Sequence, residues 1–332
     1  MNGCLNYLQY FSANQYSSKL QSENVPFFLQ KLSSENQQVI LDELAGTSIS
    51  LHLKREDAIH PMISGNKFRK LKYAVLDMMY SDKKALLTFG GAHSNHIAAL
   101  ATAGKMCGIK TIGLIRGDEL GSEIPNNPTL RTAVACGMQL KFMTRSDYRE
   151  KAEPRILRKY VEDLADLYIV PEGGTSELAI KGCEEILDKS DKIFDYICVP
   201  VGTGGTFSGL LNALQPHQEG IGFSILKGTF QKEIIDKYST VRSYSLIDDF
   251  CFGGYAKIDS ELIRFINNFK RISGIPLDPV YTGKMMYGIV AMIKAGYFRE
   301  NSRILAIHTG GLQGIEAMNH RLKQKNLPQI DI

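Results

Sequence analysis

An α/β fold built on open, mostly parallel sheet is what this sequence predicts, and two observations carry that prediction. From about residue 85 onward, short apolar β-type runs alternate with longer stretches at helical spacing. Four of the five Gly-Gly pairs (Gly90-Gly91, Gly173-Gly174, Gly204-Gly205 and Gly310-Gly311) directly follow one of those apolar runs. Strands separated by helices join through right-handed crossovers, so neighbouring strands run parallel. Ligands of such sheets bind at the carboxyl ends of the strands, where glycine turns let backbone approach closely.

Taken in order, residues 50–53 form an apolar, β-type run that leads to Ser64-Gly65-Asn66-Lys67-Phe68-Arg69-Lys70-Leu71. Beyond it Phe68, Leu71, Val75 and Met78 recur at helical spacing, which puts Lys67 in the first turn of a helix. Residues 85–89 read as a strand, followed by a glycine turn and a helix over 95–107 that stops at Gly108. Residues 110–115 are the next strand, and residues 168–170, 196–201 and 303–308 repeat the theme. Residues 116–128, with Gly117, Gly121, Pro125 and Pro128, read as a loop, and residues 238–249 as an irregular polar stretch. Neither has the composition of a flexible linker.

The bulk numbers exclude several classes. A chain of 332 residues with 44% hydrophobic residues builds a core without staples. A net charge of +4 with both signs interleaved gives no reason for a nucleic-acid partner. No apolar run reaches bilayer-spanning length, and residues 1–18 are polar and aromatic rather than signal-like. The six cysteines, at positions 4, 107, 136, 183, 198 and 251, form no C-x-x-C pair, so neither a metal nor a redox dithiol is indicated. Reduced thiols in a cytoplasmic protein are the expectation.

The chemistry starts at Lys67. Cations are disfavoured in the first turn of a helix, because unpaired N–H groups and the helix dipole already make that end positive. Yet Lys67, Arg69, Lys70 and Lys72 crowd it. One reading is a solvated basic helix start. The other is an anion among them and a lysine that does not carry its charge, as when it is joined to an aldehyde cofactor bearing a phosphate. The loop Gly202-Thr203-Gly204-Gly205-Thr206 follows a strand and opens a helix, so its N–H groups and hydroxyls can wrap a phosphate. It lacks the P-loop lysine and the dinucleotide spacing, which favours a phosphate monoester over a nucleotide.

Residues 90–96 add His93, Ser94, Asn95 and His96 at a helix start. By itself Asn95 reads as an N-cap, the two histidines lack a third metal ligand, and Ser94 is in no G-x-S-x-G elbow. Asp278-Pro279-Val280-Tyr281-Thr282-Gly283-Lys284 and Ile307-His308-Thr309-Gly310-Gly311 bring hydroxyls to loop or strand ends, and Tyr255 adds a phenol after Gly253-Gly254.

Together the G-N-K-x-R-K-L, S-N, V-G-T-G-G-T and D-P-V-Y motifs, in that order over residues 51–311, resemble pyridoxal-phosphate enzymes of the tryptophan-synthase β-subunit fold. Within that fold the chain resembles the aminocyclopropane-carboxylate deaminase and D-cysteine desulfhydrase family. The resemblance implies two open, mostly parallel twisted sheets flanked by helices (pyridoxal-phosphate fold type II). It also implies a large cofactor-binding domain of residues 1–69 plus 176–332, a small domain of residues 70–175 that closes on the substrate, and a homodimer. Lys67 is then the covalent attachment point of pyridoxal 5′-phosphate, while Lys70 and the loop from Gly202 to Thr206 hold its phosphate. Asn95 meets the ring 3′-oxygen with Asn66 beside it, Ser94 binds the substrate carboxylate or assists proton transfer, and Tyr255 and Tyr281 face a small amino-acid substrate.

Family deaminases carry a glutamate after the tyrosine of D-P-V-Y and a leucine after the histidine of the last motif. Here Thr282 and Thr309 stand there, the pattern of the desulfhydrase branch, with hydroxyls for the ring nitrogen. His93 departs from the glutamine common in the family. The expected reaction is α,β-elimination, D-cysteine to pyruvate, hydrogen sulfide and ammonia. The alternatives are deamination of 1-aminocyclopropane-1-carboxylate, β-elimination from another amino acid, and a non-catalytic amino-acid-binding protein on the same fold.

Overall fold

The computed structural model describes Phe28 and residues 32–331. Among these described residues, ten strands form two sheets. Six of them, β1 (Asn36–Val39), β2 (Ser50–Lys54), β7 (Tyr196–Val201), β8 (Glu219–Ser224), β9 (Tyr244–Ile247) and β10 (Arg303–Ile307), make a sheet ordered β1-β2-β10-β7-β8-β9. Only β1 runs antiparallel to its neighbour; the other pairs are parallel. The other four, β3 (Ala85–Gly90), β4 (Lys110–Arg116), β5 (Gln139–Met143) and β6 (Leu167–Val170), form a parallel sheet ordered β5-β4-β3-β6. The α/β class and the mostly parallel pairing are as the sequence predicts.

The central strands are continuous apolar runs because helices cover both of their faces. In β7, Tyr196 and Cys198 enter one hydrophobic cluster, whereas Ile197, Val199 and Val201 enter another on the opposite face. In β3, Leu86 faces one cluster while Ala85, Leu87 and Phe89 face the other. Each fully buried side chain of this kind contributes about 1.5–3 kcal/mol. That burial fixes the register and so the heights at which the strand ends present their turns.

The helices that matter for the site are α1 (Asn66–Tyr80), α2 (Asn95–Cys107), α3 (Pro128–Ala135), α4 (Glu177–Glu184), α5 (Gly205–Ala213), α6 (Ser260–Ser273), α7 (Thr282–Lys294) and α8 (Gly314–Gln324). Helix α1 has no acidic residue in its first turn and no side-chain cap. Gly65 precedes it with φ of 67°, and a Cβ there would lie 1.9 Å from the carbonyl oxygen of Thr309. Only glycine lets the start of α1 press against the end of β10, a contact closed by the Asn66 N–H donating to that carbonyl at 3.2 Å. The 69/70 boundary suggested by the resemblance falls inside α1, a single uninterrupted helix.

Three details differ from the sequence reading. Residues 238–249 contain β9, an edge strand paired only to β8; an edge strand is short and half-buried, so it lacks the apolar alternation that betrays a strand. Residues 116–128 carry a run of 3-10 turns from Asp118–Asn126, and Pro128 opens α3, where proline's fixed φ suits a first helical position. The N-cap of α2 is Ser94, whose Oγ accepts from the Ile97 N–H, and Asn95 is the first helical residue, leaving its amide free to point elsewhere. No described helix is long and apolar enough to cross a membrane.

Candidate active site

The carboxyl ends of β3, β6, β7 and β10 and the first turn of α1 converge on a cavity of about 110 Å³. Its walls bring together Lys67, Lys70, Ser94, Asn95, Gly202, Thr203, Gly204, Thr206, Tyr255, Tyr281 and Thr309, residues separated by up to 242 positions in sequence (309 minus 67). Two further residues singled out from the sequence, Gly205 and Thr282, do not line it. Gly205 opens α5, and a Cβ there would lie 3.2 Å from Lys70 Nζ. Thr282 is fully buried at the start of α7.

The four basic residues of α1 divide. Arg69 makes a two-armed pair with Glu56, Nε to Oε2 at 3.0 Å and Nη2 to Oε1 at 2.9 Å, with both side chains about 1% exposed or less. Lys72 pairs with Glu185 at 2.6 Å. Lys67 and Lys70, on the other face, form no ion pair with a carboxylate among the described residues, although the Asp278 carboxylate is near enough to act on Lys67. Lys67 Nζ donates to Asn66 Oδ1 at 3.0 Å, and Asn66 Nδ2 donates to Thr206 Oγ1 at 2.8 Å, which ties the amine to the first turn of α5. Lys70 Nζ donates to the Gly173 carbonyl at 3.0 Å and to Thr175 Oγ1 at 3.3 Å, and Thr175 Oγ1 lies 2.8 Å from Thr203 Oγ1.

Burial, with the neighbouring charge of Lys70 second, pulls the Lys67 amine from 10.5 to about 7. Burial also lowers Lys70. His96 is held down to about 3 by burial and then by Lys67 and Lys70, so it is neutral; its Nε2 lies 2.9 Å from Thr88 Oγ1. Burial pushes the Tyr281 phenol well above its usual value, and its ring meets that of Tyr255 edge to face at 6.3 Å. No carboxylate lines the cavity among the described residues.

Several residues that the sequence did not mark hold these groups in place. Asp278 accepts the N–H groups of Val280, Tyr281 and Thr282 at 2.7–2.9 Å, shaping the turn that carries Tyr281. Buried Lys284 donates to the carbonyls of Cys251 and Gly254 at 2.8 and 2.7 Å, fixing the loop of Tyr255. Gln313 donates to Asn95 Oδ1 at 3.0 Å, which turns the Asn95 amide so that Nδ2 is its free end. Asp278 and Lys284 stood inside the D-P-V-Y segment, but nothing marked Gln313 or Thr175. His93 is exposed, turned towards Asn127, and no part of the cavity wall. No group of three or more metal-ligating side chains occurs among the described residues.

Two cations without carboxylate partners beside a glycine-and-threonine helix start make an anion site, and a depressed amine sits at its edge. Thr282 Oγ1 is buried with no hydrogen-bond partner among the described residues, a polar atom those residues leave unsatisfied. Such a donor set fits a phosphorylated aldehyde with a polar ring. Residues 40–310 match the family described as pyridoxal-phosphate dependent enzyme, and the chain belongs to that family, with pyridoxal phosphate as its cofactor.

Within it the chain falls with aminocyclopropane-carboxylate deaminases and D-cysteine desulfhydrases. It is 31% identical to a putative 1-aminocyclopropane-1-carboxylate deaminase of Pyrococcus horikoshii over 80% of this chain and 85% of the relative. It is 28% identical to the bifunctional D-cysteine desulfhydrase/1-aminocyclopropane-1-carboxylate deaminase, mitochondrial, of Arabidopsis thaliana, over 80% of this chain and 73% of that one. A crystal structure described as an ACC deaminase homologue superposes with a TM-score of 0.75 at 28% identity, covering 88% of this chain and 93% of the other. Serine racemase from Dictyostelium discoideum, at 16% identity and a TM-score of 0.59 over 85% and 92% of the two chains, shares the fold.

Proposed function

We propose that the protein catalyses α,β-elimination on a small amino acid, with D-cysteine as substrate and pyruvate, hydrogen sulfide and ammonia as products. The observation that carries this reading is the pairing of a carboxylate-free cavity wall with two threonine hydroxyls, Thr309 on the wall and Thr282 buried without a partner. A carboxylate at the ring nitrogen would keep that nitrogen protonated and the ring a strong electron sink. Hydroxyls serve a neutral nitrogen and a milder sink. That suffices when a thiolate leaves from the β-carbon, whereas opening an unactivated cyclopropane asks for more.

Bound pyridoxal phosphate supplies the electron sink for the bond broken at the α-carbon. The chain supplies the rest. Lys70 and residues 202–206 would hold its phosphate and the free Asn95 Nδ2 would meet its ring oxygen, while Asn66 braces Lys67. Lys67 is the attachment point, and its amine, titrating at about 7, takes the α-proton near neutral pH. Ser94 holds the substrate carboxylate. The Tyr281 phenol, kept protonated by burial, faces the substrate with Tyr255 and gives a proton to the leaving sulfur. Closure of residues 70–175 over the substrate excludes water, in a protein that works as a cytoplasmic homodimer.

The names of the archaeal relatives favour a second reading, deamination of 1-aminocyclopropane-1-carboxylate. Incubating the holoprotein with D-cysteine, L-cysteine, D-serine and 1-aminocyclopropane-1-carboxylate separates the two. Pyruvate and sulfide from D-cysteine are expected. Release of 2-oxobutanoate as the main activity would select the deaminase, and turnover of nothing would leave a binding protein.

A further inference from the structure

Lys67 stands at the wall of two cavities. The second, of about 510 Å³, shares Asn66, Lys67, Asn95 and Thr309 with the first and extends away from the phosphate loop between residues 61–64, α2, α3 and the start of α8. Its floor is small and buried: Ile63, Ala98, Ala99, Thr102 and Thr129. The Thr102 hydroxyl is spent on the Ala98 carbonyl at 2.8 Å, so it offers the chamber no free donor. The mouth is exposed, formed by Met62, Thr132, Gln313 and Glu316.

A thiol side chain needs none of this space. Resting on the elimination reading above, we propose that the chamber receives the substituent on sulfur of an S-substituted cysteine, an uncharged alkyl or aryl group, so that the protein is a thioether-cleaving β-lyase as well. The chemistry balances as for cysteine. Lys67 takes the α-proton, the bond from β-carbon to sulfur breaks with its electron pair on sulfur, and that thiolate is protonated to a free thiol. Water then converts the remaining three-carbon fragment to pyruvate and ammonium. The lining sets the class of substituent. Among the described residues its lining holds no cation apart from Lys67, and one carboxylate, Glu316, which lies at the exposed mouth 4.0 Å from Arg131. An anionic substituent finds no partner there, whereas an apolar ring or alkyl chain buries surface against the alanines and Ile63.

The chain contains no tryptophan, so Thr132→Trp places a single indole at the mouth. The holoprotein is expected to release phenylmethanethiol and pyruvate from S-benzyl-D-cysteine. Ala99→Leu, which shortens the chamber, lowers kcat/KM for that compound by roughly tenfold or more while D-cysteine turnover stays within about twofold. In the Thr132→Trp protein the emission responds saturably to S-benzyl-D-cysteine and not to D-cysteine, and Ala99→Leu in the same protein removes the response. A saturable emission response that Ala99→Leu removes, with no turnover of either compound, would uphold the chamber and overturn the elimination reading. Turnover of D-cysteine with neither cleavage of S-benzyl-D-cysteine nor an emission response to it would overturn the chamber.

Discussion

The two faces of α1 carry two cations each and use them in opposite ways. Arg69 and Lys72 are met by Glu56 and Glu185, so their charge is neutralised within the fold. Lys67 and Lys70 are met by carbonyl, amide and hydroxyl oxygens only, so their charge is left for something else. A buried cation paired with a carboxylate builds structure. A buried cation left unpaired costs stability, and it persists where an anion or a reaction needs it.

The largest expected effect falls on the unpaired face. Lys67→Ala should lower turnover by about 10²–10⁴-fold or more, the range of a lost general base, with folding intact by circular dichroism. A residual rate near wild type would break the contrast. On the paired face Arg69→Ala strands the Glu56 carboxylate in the core and should cost about 3–5 kcal/mol in urea unfolding. A loss below about 1 kcal/mol would make the pair no more than a surface-type bridge.

Lys70→Gln removes a charged donor from the phosphate site and should cost about 1.5–3 kcal/mol of cofactor affinity by equilibrium dialysis, without loss of stability. Because Lys70 helps hold the Lys67 amine at about 7, the same substitution should move the pH dependence of Lys67 upward. In cofactor-free protein the depressed Lys67 also tilts stability with pH. Folded protein binds fewer protons than unfolded between about 7 and 10.5, so stability rises with pH across that window and is lost as pH falls through about 7. Lys67→Met should flatten that slope, which thermal melts at several pH values would read. The smallest effect is Lys72→Ala, about 1 kcal/mol or less, because Glu185 keeps partial contact with solvent.

Much of this was legible in the chain because it depends on local pattern. The run of residues 85–89, the helix over 95–107 and its Gly108 stop follow from periodicity and a C-terminal glycine, and so does the place of Lys67 in a first helical turn. The edge strand β9 was hidden because a half-buried strand with one neighbour needs no apolar alternation. The division of the basic cluster was hidden for another reason. Glu56 and Glu185 lie 13 and 113 residues from the arginine and lysine they meet, and no spacing rule reports such contacts. Gln313 reaches Asn95 across 218 positions, and Thr175 reaches Lys70 across 105, so both belong to packing rather than to motif. The hydroxyls of Thr282 and Thr309 were visible, but the sequence alone did not reveal that Thr309 lines the cavity while Thr282 is buried behind it, or that no carboxylate among the described residues lines that wall.

Reducing the holoprotein with borohydride and mapping the cofactor-bearing peptide by mass spectrometry tests the contrast between the two faces most directly. The account predicts the adduct on Lys67 alone, with Lys70, Lys72 and Lys284 unmodified. An adduct on any other lysine, or none in a protein that still turns over substrate, would contradict it.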